Sequence, residues 1–281
     1  MSEDRGTERP AAPDPLPIPV ADNHCHLDIS RDDAPARPVA DIVREAAAVG
    51  VDRLVQIGCD LQSARWTHEI VDEHPALLGG VAIHPNEAPT HEAAGDLDAV
   101  IDEIGELARH PRIRVIGESG LDYFRTGPEG VAAQHHSFRR HIALAKELGL
   151  ALQIHDRDAH DDVLRILAEE GAPEKTVLHC FSGDMEMARE CVRRGYYLSF
   201  AGTVTFKSAK DLRNALAVTP VEHLLVETDA PYLTPTPHRG RANAPYLVPL
   251  TVRAMAATLN TSVPQLCEAL SANSEAVYGP W

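Results

Sequence analysis

The chain has 281 residues, 44% apolar and 24% charged, ordinary proportions that exclude wholesale disorder and fibrous structure and allow one large core. Its 42 acidic side chains outnumber 26 basic ones, for a formal charge of −16, which weighs against a protein that coats nucleic acid by charge alone. An enzyme that meets phosphates through bound cations stays open, because divalent metals reverse the local field.

Residues 1–18 carry most of a proline run (Pro10, Pro13, Pro15 and Pro17, with Pro19 at the edge) and little to bury, which predicts a mobile tail ahead of a single domain over 19–281. No apolar run approaches the ~18 residues of a spanning helix, and the acidic, proline-rich start is unlike a secretory leader. Five cysteines, odd in number, scattered and without a C-x-x-C pair, predict reduced thiols in a cytoplasm. Strands are predicted at 19–26, 53–58, 77–84, 112–118, 150–155, 175–180, 196–200 and 223–228. Amphipathic helical stretches lie at 38–49, 61–74, 96–110, 131–148, 159–170, 184–194 and 208–216, with a helical C-terminal segment after the last strand. Eight strands alternating with helices point to a (β/α)8 barrel. The alternative, an open doubly wound sheet, lacks support from either common nucleotide signature, G-x-G-x-x-G or G-x-x-x-x-G-K-[ST].

The fifteen histidines are the compositional oddity. In D-N-H-C-H-L-D (Asp22 to Asp28), His24 and His26 are two apart at the end of strand one, so both point to one side while Cys25 points to the other. Alone, an H-x-H pair is weak, since about one arises by chance in so histidine-rich a chain. Position strengthens it. Glu118 ends the fourth strand, His155 the fifth, His179 nearly ends the sixth and Asp229 follows the eighth, all where barrel enzymes carry their chemistry. Four histidines and two carboxylates converging there would be costly to bury without a metal. Six ligands exceed one tetrahedral site but suit two divalent ions ~3.5–4 Å apart. Glu118 is then the bridge, with His24, His26 and Asp229 completing one site and His155 and His179 the other. The imidazole-rich set favours Zn²⁺, Mn²⁺ or Fe²⁺ over Mg²⁺.

Around this set, His84 in A-I-H-P-N is expected as an outer or substrate contact, or else a loop cap. Asp22, Asp28 and Glu227 either orient ligands or serve as turn and cap residues. Arg125, Arg157, Lys207, Arg239 and Arg241 all follow strands; each singly reads as a solvated loop cation, and together as a basic rim for phosphates. His68, His91, His110, His135, His136 and His141 read as surface residues.

In order and spacing, D-N-H-C-H-L-D, A-I-H-P-N, G-E-S-G-L-D-Y-F, H-D-R-D-A-H, H-C-F-S-G and E-T-D-A-P-Y-L-T-P, followed by P-H-R-G-R-A-N-A-P, resemble the TatD family of metal-dependent deoxyribonucleases. The resemblance covers residues 20–281. It implies a (β/α)8 barrel of the amidohydrolase superfamily, a divalent metal centre and hydrolysis of DNA phosphodiester bonds, in some cases as a 3′ to 5′ exonuclease. It places the family's metal ligands on His24, His26, Glu118, His155, His179 and Asp229, the same six. Arg239 and Asn243 keep the family pattern and join His84, Arg125, Arg157 and Lys207 as expected substrate contacts. Ser119 and Ala244 depart from it, Ala244 standing where an acidic residue is usual near that rim.

The expected chemistry is attack by a water activated at two divalent ions (Zn, Mn, Fe or Mg), with Asp229 as base and Glu118 as bridge. The expected partner is DNA, as single strands or ends; no membrane is expected, and the oligomeric state stays open with a monomer as default. One alternative is acyl or ester hydrolysis, as in a D-aminoacyl-tRNA deacylase, where the same centre would attack a carbonyl carbon. The other is a metal-stabilised scaffold without turnover.

Overall fold

A computed structural model describes residues 9–31 and 37–281. Among the described residues the chain alternates β1 (Val20–Cys25), α1 (Val39–Ala48), β2 (Val51–Gly58), α2 (Leu61–Glu73), β3 (Leu77–Val81), α3 (Ala88–Ala94), α4 (Leu97–Leu107), β4 (Ile113–Asp122), α5 (Val131–Leu148) and β5 (Ala151–Arg157). It continues with α6 (His160–Glu170), β6 (Thr176–Leu178), α7 (Met185–Arg193), β7 (Tyr197–Phe200), α8 (Lys210–Val218), β8 (Leu224–Val226), α9 (Val248–Leu259) and α10 (Val263–Tyr278). The strands pair in parallel in the order β1 to β8. The ring closes where Asn23 Nδ2 donates to Val226 O (2.8 Å), Asp229 N to His24 O (3.0 Å) and His26 N to Ala230 O (2.8 Å). This is the (β/α)8 barrel expected from the alternating pattern.

Packing follows from the two periodicities. Val55, Ile57, Leu78, Val115, Ala151, Val177 and Leu225 fill the barrel interior, and Tyr278 from α10 plugs its floor. The larger apolar cluster lies between the strands and the helical coat. Local signals set helix ends: Asp60 and Ser63 form a capping box for α2, as do Ser262 and Gln265 for α10. Gly120, with φ 145°, lies where β4 passes β5 so closely that a Cβ would stand 2.1 Å from His155 O. Glycine there lets the strands bearing Glu118 and His155 meet.

Three expectations need correction. The tail predicted over 1–18 lies outside the described residues as far as position 8, but from Arg9 onward the segment is packed. Leu16 is buried and donates its N–H to Val49 O (2.9 Å), the Tyr246 hydroxyl donates to Pro10 O (2.7 Å), and Arg253 reaches Asp14 O (2.7 Å). Prolines tolerate an extended strap because they bring no backbone donor to satisfy, so composition alone cannot separate strap from tail. Helix α3 was not expected; its seven residues bury only Ala88, too little to leave an apolar stripe. His141 is fully buried rather than on the surface.

The His141 ring ties α5 to the segment after β3: Nδ1 donates to Ser137 O (2.7 Å) and Nε2 accepts from Ile83 N (3.1 Å). Burial lowers its pKa from 6.5 to about 4. Between those values the unfolded chain binds the extra proton, so this contribution is complete above pH 6.5 and is lost as pH falls through 4. A shift of that size corresponds to about 3 kcal/mol. Urea unfolding at pH 7 and pH 5 is expected to show about 2 kcal/mol more acid destabilisation in the wild type than in His141→Gln. Equal pH dependence of the two proteins would refute the assignment.

All five cysteines are free, and no helix among the described residues is long and apolar enough to cross a membrane.

Candidate metal centre

The strand ends bring all six expected ligands together at the C-terminal mouth. Glu118 is central, and its two oxygens face different neighbours. Oε1 lies 3.9 Å from His24 Nε2 and 3.8 Å from His26 Nε2, whereas Oε2 lies 2.6 Å from His179 Nε2 and 3.1 Å from His155 Nδ1. Asp229 Oδ1 adds to the first group, 3.4 Å from His26 Nε2 and 3.9 Å from His24 Nε2. Glu118 stands between these neighbours, and the compact donor groups cut across the division expected from the sequence: His24, His26 and Glu118; His24, His179 and Glu227, with the His24 and His179 rings stacked at 3.9 Å; and His84, Glu118 and His155.

Hydrogen bonds behind the rings fix which nitrogens carry lone pairs. His24 Nδ1 donates to Gln153 Oε1 (2.7 Å), His26 Nδ1 to Ile57 O (3.0 Å) and His179 Nδ1 to Glu227 Oε1 (3.2 Å). Each Nε2 therefore presents its lone pair to the mouth. Yet the His24 and His26 Nε2 atoms stand 3.3 Å apart, and His179 Nε2 faces a carboxylate oxygen. Acceptors this close require a cation between them, a proton or a metal. The donor set fits divalent ions of the zinc, manganese or iron type.

Without metal, protons take that part. Burial pushes the His24 pKa well down, with His179 reinforcing it. Burial also opposes a charge on His26, but the Asp229 hydrogen bond and the Glu118 charge hold its pKa well above the usual value. One proton thus serves the pair. His179 is likewise raised against burial by Glu118 and Glu227, and His155, between Asp122 and Glu118, rises to about 8. Burial works against Glu118 ionisation, yet the charge on His179 and the hydrogen bonds from His155 and His179 hold its pKa well below the carboxylate range.

Several supporting residues escaped sequence reasoning. Asp122 Oδ2 holds His155 Nε2 (3.2 Å) and accepts from Asn86 Nδ2 (3.2 Å), because β4 runs to Asp122, past the predicted end at Glu118. The Cys59 thiol, its pKa pushed up to about 12 by burial, donates to Glu118 Oε1 (3.4 Å). Gln153 uses Nε2 to reach Asn23 O and the Tyr278 hydroxyl, both at 2.8 Å, so the barrel floor orients His24 from behind. Its position was legible only as a polar residue inside a strand. Gln153→Leu is expected to weaken metal retention about 10–100-fold in chelator competition. Unchanged retention would mean that packing alone orients His24.

The other expected residues divide. Glu227 is buried, receiving both His179 Nδ1 and Cys180 N (2.8 Å). Asp22 holds Thr228 N (2.8 Å) just before Asp229, and burial raises its pKa to about 8. Asp28 receives Gln56 Nε2 (3.0 Å). His84 Nδ1 accepts from Asn86 N (3.0 Å), so Nε2 carries the hydrogen and points it at Glu118 Oε1, 3.7 Å away. In that tautomer His84 is a donor toward the centre, and burial keeps it neutral, its pKa near 4.

Arg125, Lys207 and Arg239 are exposed on loops after strands and Arg157 is exposed at the last position of β5, as a rim requires. Asn243 does not fit a substrate contact. It is buried, and Nδ2 donates to Thr228 O (2.9 Å) and Tyr232 O (2.6 Å), fastening the loop that carries Asp229.

A closed parallel barrel whose mouth gathers four histidines and two carboxylates, with acceptors aimed at one another, defines the class of barrel metal-dependent hydrolases. The family described as TatD related DNase matches residues 21–279. The Mycobacterium tuberculosis protein named uncharacterized metal-dependent hydrolase TatD is 44% identical over 266 residues, covering 92% of this chain and 98% of its own length. Escherichia coli YcfH, also named an uncharacterized metal-dependent hydrolase, is 35% identical and covers 90% and 93%. The solved E. coli TatD homologue YjjV is similar in fold, with a TM-score of 0.81 at 24% identity over 92% of this chain and 97% of that one. The chain belongs to the TatD family of metal-dependent hydrolases.

Proposed function

We propose that the protein hydrolyses phosphodiester bonds of DNA, acting on single strands or strand ends. The observation that carries this reading is the division of Glu118 between two donor sets, the arrangement suited to in-line displacement at a phosphate. The arginine rim and the family's description as DNase-related support it.

Divalent ions held by His24, His26, Glu118, His155, His179 and Asp229 would supply Lewis acidity, bringing the pKa of an attacking water toward neutrality and offsetting phosphoryl charge. Asp229 is the residue placed to take the water's proton. Its side chain is more open than that of Glu118, and its backbone is held by the Asp229 N to His24 O bond. Its φ of 55° lies in the left-handed region, a conformation that the surrounding bonds must enforce. The His84 Nε2–H offers a neutral donor toward a phosphoryl oxygen. Arg157 and Arg239 are placed to meet flanking phosphates.

Metal-stripped protein resupplied with Mg²⁺, Mn²⁺ or Zn²⁺ should shorten end-labelled single-stranded DNA and leave a D-aminoacyl-tRNA acylated. Deacylation without DNA cleavage would move the chemistry from phosphorus to carbon and refute the proposal.

A further inference from the structure

Two large aromatic side chains stand exposed at the mouth, where burial would be the default: Phe124 is 61% and Tyr232 43% exposed. Phe124 follows β4 and Tyr232 follows β8, strands four places apart in a ring of eight and therefore diametrically opposed. The metal-fitting side chains lie between them. Phe124 is two residues from Asp122, which holds His155, while the Tyr232 ring lies edge-on to the His26 ring with centroids 6.4 Å apart.

Neither aromatic is on a loose loop. Asp122 Oδ1 accepts from Phe124 N (3.1 Å) and Arg125 N (2.8 Å), so the carboxylate that holds His155 also fixes the Phe124 turn. Next to it, the Tyr123 hydroxyl donates to Asp162 Oδ2 (2.6 Å) on α6. Tyr232 N donates to Asp229 O (2.8 Å), and Tyr232 O accepts from Asn243 (2.6 Å). Guanidinium groups stand over Phe124 itself and over Phe206, on a loop neighbouring that of Tyr232. Arg157 lies 3.8 Å from the Phe124 centroid, and Arg239 lies 4.1 Å from that of Phe206, whose loop meets the Tyr232 loop through Thr236 N to Thr205 Oγ1 (2.8 Å).

From this geometry we infer that Phe124 and Tyr232 form a two-sided base clamp: the nucleobases on either side of the scissile phosphate stack on opposite walls of the mouth, with Arg157 and Arg239 beside the outer phosphates. The inference rests on the phosphodiesterase reading and deepens it. Stacking tolerates any base, because every base has a π-face, but it requires bases freed from a duplex. An aromatic pinned at its backbone loses little entropy on taking up a base. The clamp selects an internucleotide bond in a single strand and discriminates against phosphomonoesters, which offer one base at most.

The test uses metal-loaded protein and single-stranded oligonucleotides carrying one abasic residue on either side of a chosen bond. For the wild type, each abasic substitution is expected to raise KM about tenfold, with a smaller change in kcat. Phe124→Ala is expected to raise KM about tenfold on the intact strand and to show no further loss when the abasic residue occupies one of the two sides. Tyr232→Ala should behave likewise for the other side, and Phe124→Trp should restore the intact-strand KM. Thermal unfolding midpoints matching the wild type would show that both exposed positions fold normally. If both alanine variants keep the full abasic penalty on both sides, the clamp is wrong while the phosphodiesterase reading stands. A wild type that cleaves no oligonucleotide with any metal overturns both.

Discussion

Replacing Glu118 with alanine is expected to lower turnover by at least about a thousandfold, with loss of tightly held metal. Glu118 reaches both donor sets, Oε1 near His24 and His26 and Oε2 near His155 and His179. Losing it separates the sets and removes the charge that balances the imidazoles. Several kcal/mol of transition-state stabilisation are at stake, and each ~1.4 kcal/mol is a factor of ten in rate. Glu118→Gln keeps the shape but not the charge, so it should recover the fold without recovering metal binding. Metal content after dialysis, measured beside kcat, checks this. A Glu118→Gln protein with full metal content and more than a tenth of wild-type turnover would contradict the bridging role.

Asp229→Asn should have the next largest effect, a fall in kcat of roughly 10²–10⁴-fold, the usual contribution of a positioned base. KM should move little, since the loop geometry rests on the Asn243 Nδ2 bond to Thr228 O and the Asp229 N bond to His24 O rather than on the carboxylate. The signature is a pH profile. Activity of the wild type should depend on the state of a base, and that limb should disappear in the variant. Loss in KM alone, with kcat preserved, would show that Asp229 binds substrate instead of taking a proton.

The gathering of six residues at the mouth was legible in the sequence because strand ends in a barrel are fixed by apolar runs, and polar residues terminating those runs have one destination. His24, His26, Glu118, His155, His179 and Asp229 follow from that rule alone. Asp122 and Gln153 did not. Asp122 sits four residues beyond Glu118 because β4 continues past the ligand, and the Gly120 close approach that permits it is a tertiary fact. Gln153 reads as an isolated polar residue until Tyr278, 125 residues later, arrives on the barrel floor to meet its amide. His141 was misread for a related reason. His135, His136 and His141 share one helix, but only His141 lies on its buried face with Phe138, Ile142 and Ala145, where its ring accepts from Ile83 across the coat. Asn243 kept its place in the motif but turned inward, a backbone fastener rather than a hand on substrate.

The most direct test of the account is anomalous diffraction from crystals loaded with Mn²⁺ or Zn²⁺, recorded at the metal's absorption edge. Two peaks ~3.5–4 Å apart are expected at the C-terminal mouth with Glu118 between them. A single peak away from Glu118, or no peak within reach of His24, His26, His155 and His179, would contradict it.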